Sequence, residues 1–349
     1  MPPRQFDFLA AAGGRLDVVV ATHGGLSRTQ AATLIATGRV TVDGRREKAA
    51  YRLRDGERVA VTVPPPPGRD VVAETIPLRV VYEDEWLMVV DKPAGMVVHP
   101  APGHWTGTLV NALMGRAATR AAGGEEDPDG DQAGGPIAPE RAGIVHRLDK
   151  ETSGLLLVAR TDRVHRQLSE AIARRDVQRR YVTLAWGHLT EDRVTVDRPI
   201  GRDPRDRKRM AIVSSGRPAR TDFVRLARFD SADLLRAKLH SGRTHQIRVH
   251  LASLGHPVAG DDTYGGGGGR RLAGLAPRRH FLHAAWLTLR HPVTGDMLDL
   301  RSPLPPDLRV SVETLASGGE PIQAAGGAEA NGGTERDVLV DVGFYERDA

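Results

Sequence analysis

Cysteine is absent from the 349 residues, which excludes disulfides and thiolate-ligated zinc and fits a reducing compartment. No apolar run approaches the roughly 18 residues needed to span a bilayer. The opening MPPRQFDFLAAAGGRL lacks the long apolar region of a signal peptide, so a soluble, cytoplasmic protein without membrane contact is expected. Internal repeats are missing too. What the chain does have is a basic balance, 49 Lys+Arg against 44 Asp+Glu and a pI of about 9.8. The acids collect in two segments, which leaves the remainder more basic than the average and favours a polyanionic partner. The length suits two domains, since domains typically run about 100–200 residues.

Residues 1–13 read as an N-terminal arm and 14–63 as a compact first unit. In SRTQAATLIATGRVTVDG, Ser27 caps a helix carrying Leu34 and Ile35, and Gly38 ends it. Val40 and Val42 then alternate with polar residues up to a hairpin turn at Asp43-Gly44, and GERVAVTV supplies the returning strand. The Pro-rich stretch 64–75 is a stiff linker. From 76 to 316 strands and helices mix, opening with a strand, turn, strand around Pro93-Ala94-Gly95. Residues 117–141 are rich in Gly, Pro, Asp and Glu and read as a disordered acidic insertion, because they bury too little to offset their ordering entropy. GGGGG from Gly265 reads as a flexible loop. The acidic, Gly-rich tail 317–349 resembles the insertion, with a short strand expected in RDVLVDVGFY.

The segment GIVHRLDKETSGLLLVAR places Arg147 and Asp149 at the mouth of an apolar run, ahead of a Thr-Ser-Gly turn. GIVHRL and GLLLVAR read as strands flanking a polar crossover, followed by a helix with Val164, Leu168, Ala171 and Ile172 on one face. A solvated loop is the ordinary alternative for such charges. In RRYVTLAWG, Val182, Leu184 and Trp186 share one side of a strand, and Tyr181, Thr183 and Ala185 share the other. Further on, a helix from about Thr244 buries Ile247, Leu251 and Leu254 and leaves Arg248 off that stripe. Arg248 reads either as surface charge or as the two-point holder of a buried carboxylate.

In this order, DKPAGMVVHPAPGH, HRLDKETSGLLLVAR, RRYVTLAWG and SGRTHQIRVHLASLGHPVAGDDTYG closely resemble the motifs of the RluA/RluD family, pseudouridine synthases of the large-subunit ribosomal RNA type. SRTQAATLIATGRVTVDGRR resembles the small RNA-binding module, named for a small-subunit ribosomal protein, that often precedes them. The resemblance implies an α+β protein, in which a mixed, largely antiparallel sheet with flanking helices follows a small α/β RNA-binding domain. It also implies that Asp149 is the nucleophile, Tyr181 packs on the target base, Arg248 pairs with Asp149, and Arg147 fills the gap left by the base. A free Asp titrates at about 3.9. Burial can raise that by about 3–5 units and a neighbouring Arg lower it by about 1–3, which is the reason to want Arg248 beside Asp149. No cofactor or metal is implied, and a monomer is expected. Arg28, Arg39, Arg45 and Arg46 are candidate phosphate contacts, as are the arginines of 205–209.

Competing readings are a metal hydrolase, an RNA glycosidase using Asp149 and Glu151 as a carboxylate pair, and a non-catalytic RNA-binding assembly factor. The metal reading is weak: His245 and His250 are five apart on a helix, and His280 and His283 fall on opposite faces of an expected strand. Large-subunit ribosomal RNA is the expected target, with transfer RNA as the alternative.

Overall fold

The computed structural model describes residues 4–64, 71–101, 103–122, 142–266, 272–318 and 337–346. The chain divides into two units, residues 1–70 and 71–349.

The first unit runs β1 (Arg4–Leu9), α1 (Leu16–Gly24), α2 (Arg28–Ala36), β2 (Val40–Val42) and β3 (Arg58–Val63), with sheet order β1-β3-β2. Ser27 caps α2 in a reciprocal box: its hydroxyl accepts from Gln30 N, and Gln30 Oε1 accepts from Ser27 N. Asp43 and Gly44 both take positive φ, and Val42 and Arg45 exchange both backbone hydrogen bonds, as a two-residue type I′ turn requires. Residues 4–9, read as part of an arm, instead pair antiparallel with β3. Their alternation, with Phe6 and Phe8 half-buried against Leu16, Leu34 and Val59, is the reason.

The second unit continues with β4 (Arg79–Glu83), β5 (Leu87–Lys92), α3 (Leu109–Ala122), β6 (Ser153–Ala159), α4 (Asp162–Arg174), β7 (Gln178–Trp186), β8 (Arg193–Asp197), β9 (Ile200–Arg202), β10 (Met210–Ile212), β11 (Arg220–Arg228), β12 (Ala232–Leu239), α5 (Gln246–Ser253), β13 (Leu282–Arg290), β14 (Met297–Arg301), α6 (Pro306–Ala316) and α7 (Val338–Asp341). Its main sheet has the order β4-β5-β6-β13-β7-β12-β11-β8. The far end of β13 pairs with β14, so β6 and β14 share one edge of that strand. Only β6 and β13 run parallel among these pairs, which makes the sheet mixed and largely antiparallel.

Both faces of β7 are buried. Tyr181 and Ala185 pack with α3 and α5 residues such as Leu109 and Ile247, while Val182, Leu184 and Trp186 pack with α6 and α7 residues such as Leu308 and Leu339. α4 covers the second face further along, through Val164 and Leu168. Each such side chain removed from water contributes about 1.5–3 kcal/mol.

Several local expectations are corrected. The residues after Pro93 form no strand, because the Val97 and Val98 carbonyls accept from Leu109 and Val110 in the first turn of α3. Nor do residues 143–148: His146 Nε2 accepts from Leu157 N at 3.2 Å, so a ring nitrogen replaces a ladder carbonyl. Thr152-Ser153-Gly154 is no turn, since Ser153 and Gly154 open β6. Residues 71–75 belong to the second unit rather than to a linker, with Glu74 N donating to Asn111 O and Asn111 Nδ2 to Val72 O. Residues 65–70 lie outside the described residues.

Residues 117–122 extend α3 rather than start an insertion, while 123–141 lie outside the described residues. In the tail, 319–336 also lie outside them, and 338–341 form a helix rather than a strand. Asp337 caps that helix, and Leu339 and Phe344 are buried against the second face of the sheet. Gly265 and Gly266 are not a loose loop, because Gly266 O accepts from Trp186 Nε1 at 2.6 Å and a Cβ on Gly266 would collide with Val258 O. The remainder of that glycine run lies outside the described residues.

Candidate active site

Asp149 stands in the loop that enters β6, and the backbone of this loop is tied down from Asp149 to Glu151. Thr152 N donates to Asp149 O, and Gly95 N donates to Lys150 O. Lys92, with no exposed surface, donates from Nζ to Pro93 O, Met96 O and Lys150 O at 2.7–3.2 Å. Burial pushes its pKa down to about 7, with the Arg279 charge adding to the effect. Three carbonyl oxygens nevertheless match the three N–H groups of an ammonium, which favours the charged form.

Behind the loop, Thr152 Oγ1 bonds His280 Nε2 at 2.8 Å and Ser153 Oγ bonds His283 Nδ1 at 2.9 Å. Arg279 donates to Glu151 O and to Ser153 Oγ. Gly154 takes φ +109°, and a Cβ there would stand 2.4 Å from Ala284 O, so the close parallel approach of β6 to β13 needs glycine.

α5 brings the counter-charge. It begins at Gln246 rather than Thr244, because His245 adopts a left-handed conformation with φ +57°. Arg248 is buried with its neighbours Ile247, Val249 and His250, so it is not surface charge. Its Nη1 donates to Asp149 Oδ2 at 3.0 Å. The two-point pairing goes instead to Asp261: Nε to Oδ2 at 2.6 Å and Nη2 to Oδ1 at 2.9 Å. Asp261 is itself fixed by the backbone N–H groups of Thr263 and Tyr264, and the Tyr264 ring lies under the guanidinium at 5.1 Å.

Burial pushes the Asp149 carboxyl up, but the charges of His245, Arg248 and His280 and the Arg248 hydrogen bond pull it down, and the net is below the usual carboxylate range. Burial lowers the pKa of His245, and that of His280 falls to about 3. Near neutral pH both rings are therefore uncharged, and Arg248 supplies the lasting attraction. The Asp149 side chain keeps 17% exposure against 7% for Arg248, so the carboxylate opens toward the cavity while its partner is walled off.

That cavity measures about 740 Å³ and is lined by Asp149, Tyr181, Arg248 and Arg147, so all four expected site residues of this unit meet there. Tyr181 is 4% exposed, and burial raises its hydroxyl pKa. Arg147 is exposed at the cavity wall. In the first unit, Arg28, Arg39, Arg45 and Arg46 are all exposed. Arg28 shares Asp17 with Arg15 at 2.9 Å, while Arg46 lies across Gly38.

Among the described residues no three His, Asp or Glu side chains converge as metal ligands. His250 is held by Thr221 Oγ1 and Arg198 O, and His280 precedes β13 rather than lying in it. The sequence motifs assign no role to Asp261, Tyr264 and Lys92, and His245 enters only as a rejected metal ligand. The Asp in GDDTYG, followed by residues able to donate backbone N–H groups to it, was the available signal for a second carboxylate.

Residues 86–253 match the family model for RNA pseudouridylate synthase, and residues 14–59 match the S4 domain. The chain is 42% identical over 306 residues to an uncharacterized RNA pseudouridine synthase of Bacillus subtilis, covering 87% of this chain and 95% of that protein. The chain belongs to the RNA pseudouridine synthase family. It is also 46% identical over 246 residues to the ribosomal large subunit pseudouridine synthase D of Nitrosomonas europaea, covering 70% of this chain and 67% of that one. Among solved structures, human RNA Pseudouridylate Synthase Domain Containing 1 superposes with a TM-score of 0.50 at 29% identity, over 68% of this chain and 88% of that chain. This pseudouridine synthase thus joins an S4 domain to a catalytic unit whose cavity holds Asp149.

Proposed function

We propose that this enzyme isomerises a uridine of large-subunit ribosomal RNA, with Asp149 as the nucleophile. The observation that carries the reading is Arg248 Nη1 at 3.0 Å from Asp149 Oδ2 in a cavity also lined by Tyr181 and Arg147. Relatives carrying the name ribosomal large subunit pseudouridine synthase D, together with the S4 domain, support the choice of RNA.

The reaction breaks the bond between C1′ and N1 of uracil, rotates the base, and forms a bond between C1′ and C5. C5 gives up a proton and N1 gains one, so no oxidant or energy source enters. Attack at C1′ and addition to C6 both need an ionised carboxylate, which Arg248 maintains. The target base is stacked in a folded RNA, and extruding it costs a few kcal/mol. Tyr181 offsets part of that by packing on the uracil, and Arg147 by donating to the base left without a partner. Exposed arginines of the first unit, Arg28, Arg39, Arg45 and Arg46, contact phosphates. The protein acts as a monomer in the cytoplasm, without cofactor or metal.

The test maps pseudouridines in ribosomal and transfer RNA from cells with and without the protein, then assays Asp149→Asn in vitro. The variant is expected to bind the RNA within about threefold of wild type and to lose at least about a thousandfold in conversion, as removal of a nucleophile does. Missing pseudouridines in transfer RNA alone would overturn the ribosomal target. Release of free uracil would mark a glycosidase, and an active Asp149→Asn would remove the nucleophile.

A further inference from the structure

Arg179 is an oddity in the wall of the Asp149 cavity. It lies on β7 two residues before Tyr181, hence on the same face and about 7 Å away along the strand. Its exposure is 6%, and its Nε has no hydrogen-bond partner. The guanidinium lines the cavity, and Nη1 lies so near the loop after β12 that a Cβ on Gly242 would stand 3.0 Å from it. Arg217 and Arg243 line the same cavity, and Arg243 donates from Nε to Pro218 O at 3.0 Å. Among the described residues no carboxylate pairs with any of the three. The acids lining the cavity are Asp149, which Arg248 holds, and Asp197, which makes no ion pair with these arginines.

A buried charge without a partner is strongly unfavourable, and the usual resolution is a counter-ion. Arg179 cannot discharge itself as a lysine can, because guanidinium stays protonated in proteins. Its field is felt nearby: burial, followed by the Arg179 charge, drives the His146 pKa down to about 3. Arg243 is disfavoured in the same way, by burial and then by the neighbouring Arg217 guanidinium. Three guanidinium groups lining one cavity, none of them paired with a carboxylate, make a socket for an anion that arrives with the substrate, and the fork of an arginine fits phosphate oxygens.

We infer that Arg179, with Arg217 and Arg243 beside it, binds a backbone phosphodiester of the RNA strand next to the extruded uridine. This rests on the reading of the cavity as the uridine site. Arg179 is here a positioning residue: it fixes the strand so that the base from the neighbouring nucleotide reaches Tyr181 and Asp149.

The test uses the full chain and a ribosomal RNA stem-loop containing a uridine that the wild type converts. Binding is measured over a range of salt concentrations for wild type, Arg179→Gln and Arg179→Lys. Arg179→Gln is expected to weaken binding about tenfold at low salt. It should also flatten the slope of log K against log salt by about 0.7–0.9, the effect of one lost phosphate contact, while Arg179→Lys retains most of the slope. Methylphosphonate, which is neutral, then replaces each phosphate flanking the uridine in turn. At one position the wild type should lose the same factor of about ten and Arg179→Gln should lose nothing further.

An unchanged salt slope in Arg179→Gln, or equal losses for both proteins at every phosphate, would overturn the inference. If Arg179→Gln does not fold, Gly242→Leu takes its place, since a side chain at that exposed position pushes the guanidinium aside. The same coupling to one methylphosphonate is expected, and its absence is equally decisive. If the wild type converts no uridine in any RNA offered, the reading of the cavity fails. The salt slope on a single-stranded uridine oligonucleotide then still decides whether Arg179 holds a phosphate.

Discussion

At the inner end of the cavity Arg248 donates from all three guanidinium nitrogens, to Asp149 and Asp261. Along the cavity wall Arg147, Arg179, Arg217 and Arg243 have no carboxylate partner among the described residues. Both regions are rich in arginine, yet one is closed electrostatically before substrate arrives and the other is not. The closed end holds the ionisation of a single carboxylate, the nucleophile we propose, and that demands fixed geometry. The open wall offers unpaired charge to a polyanion, which can supply the missing acceptors as it docks. Replacing charges in the first region should therefore damage fold and chemistry, and in the second only RNA handling.

The largest effect that would break this contrast is expected at Asp261. Asp261→Asn removes the two-point partner of a buried guanidinium, and loss of one member of a buried pair typically destabilises by about 3–5 kcal/mol. Denaturant unfolding at neutral pH measures it. The Asp261 carboxyl is held below its usual range, against the opposing effect of burial, by hydrogen bonding and the charge of Arg248. Its contribution to stability is thus present above the unfolded pKa of about 4 and lost as pH falls through the lower folded value. Asp261→Asn should accordingly show a weaker acid dependence of stability than wild type.

Next in size is Arg147→Ala, which should lose about tenfold in conversion of a folded stem-loop and almost nothing on an unstructured strand carrying the same uridine. Equal losses on both substrates would show that Arg147 does not fill the gap in the helix. The smallest effect is expected from Arg45→Gln combined with Arg46→Gln. These exposed charges of the first unit should change affinity several-fold and flatten the salt slope by about 1.5, with conversion at saturating RNA unchanged. A drop in conversion at saturation would place them in the chemistry instead.

Much of the fold and part of the site were legible in the sequence, for a physical reason that differs by element. The capping box at Ser27, the turn at Asp43-Gly44 and the helix carrying Val164 and Leu168 follow from local pattern, because caps, positive φ and helical spacing act over a few residues. Arg147, Asp149, Tyr181 and Arg248 were found through motif resemblance, and the fold brings them to one cavity across 101 residues of sequence, from 147 to 248.

What local pattern missed is satisfied at long range. GIVHRL has the composition of a strand, but His146 takes over a ladder position, and no propensity scale anticipates a ring nitrogen doing so. Thr-Ser-Gly has the composition of a turn, yet Thr152 and Ser153 are locked to His280 and His283 from more than a hundred residues away. Asp261 is hidden for the same reason: it matters only because Arg248 lies beside it. The strand at residues 4–9 is different, since the alternation of Phe6 and Phe8 is a local signal present in the sequence itself.

Whether Arg248 keeps Asp149 ionised is tested most directly by the pH dependence of kcat/KM. The comparison is wild type against the double variant Arg248→Gln, Asp261→Asn, in which no other carboxylate is left stranded beside the site. Wild type should show its acid limb below the ordinary carboxylate value, because the Asp149 carboxyl is held below 3.8. In the double variant the charge and hydrogen bond of Arg248 no longer oppose burial, which leaves only His245 and His280 to do so, and the acid limb should rise by about 1–3 pH units. A variant that is slower by the same factor at every pH, with its acid limb where the wild type has it, would contradict the claim.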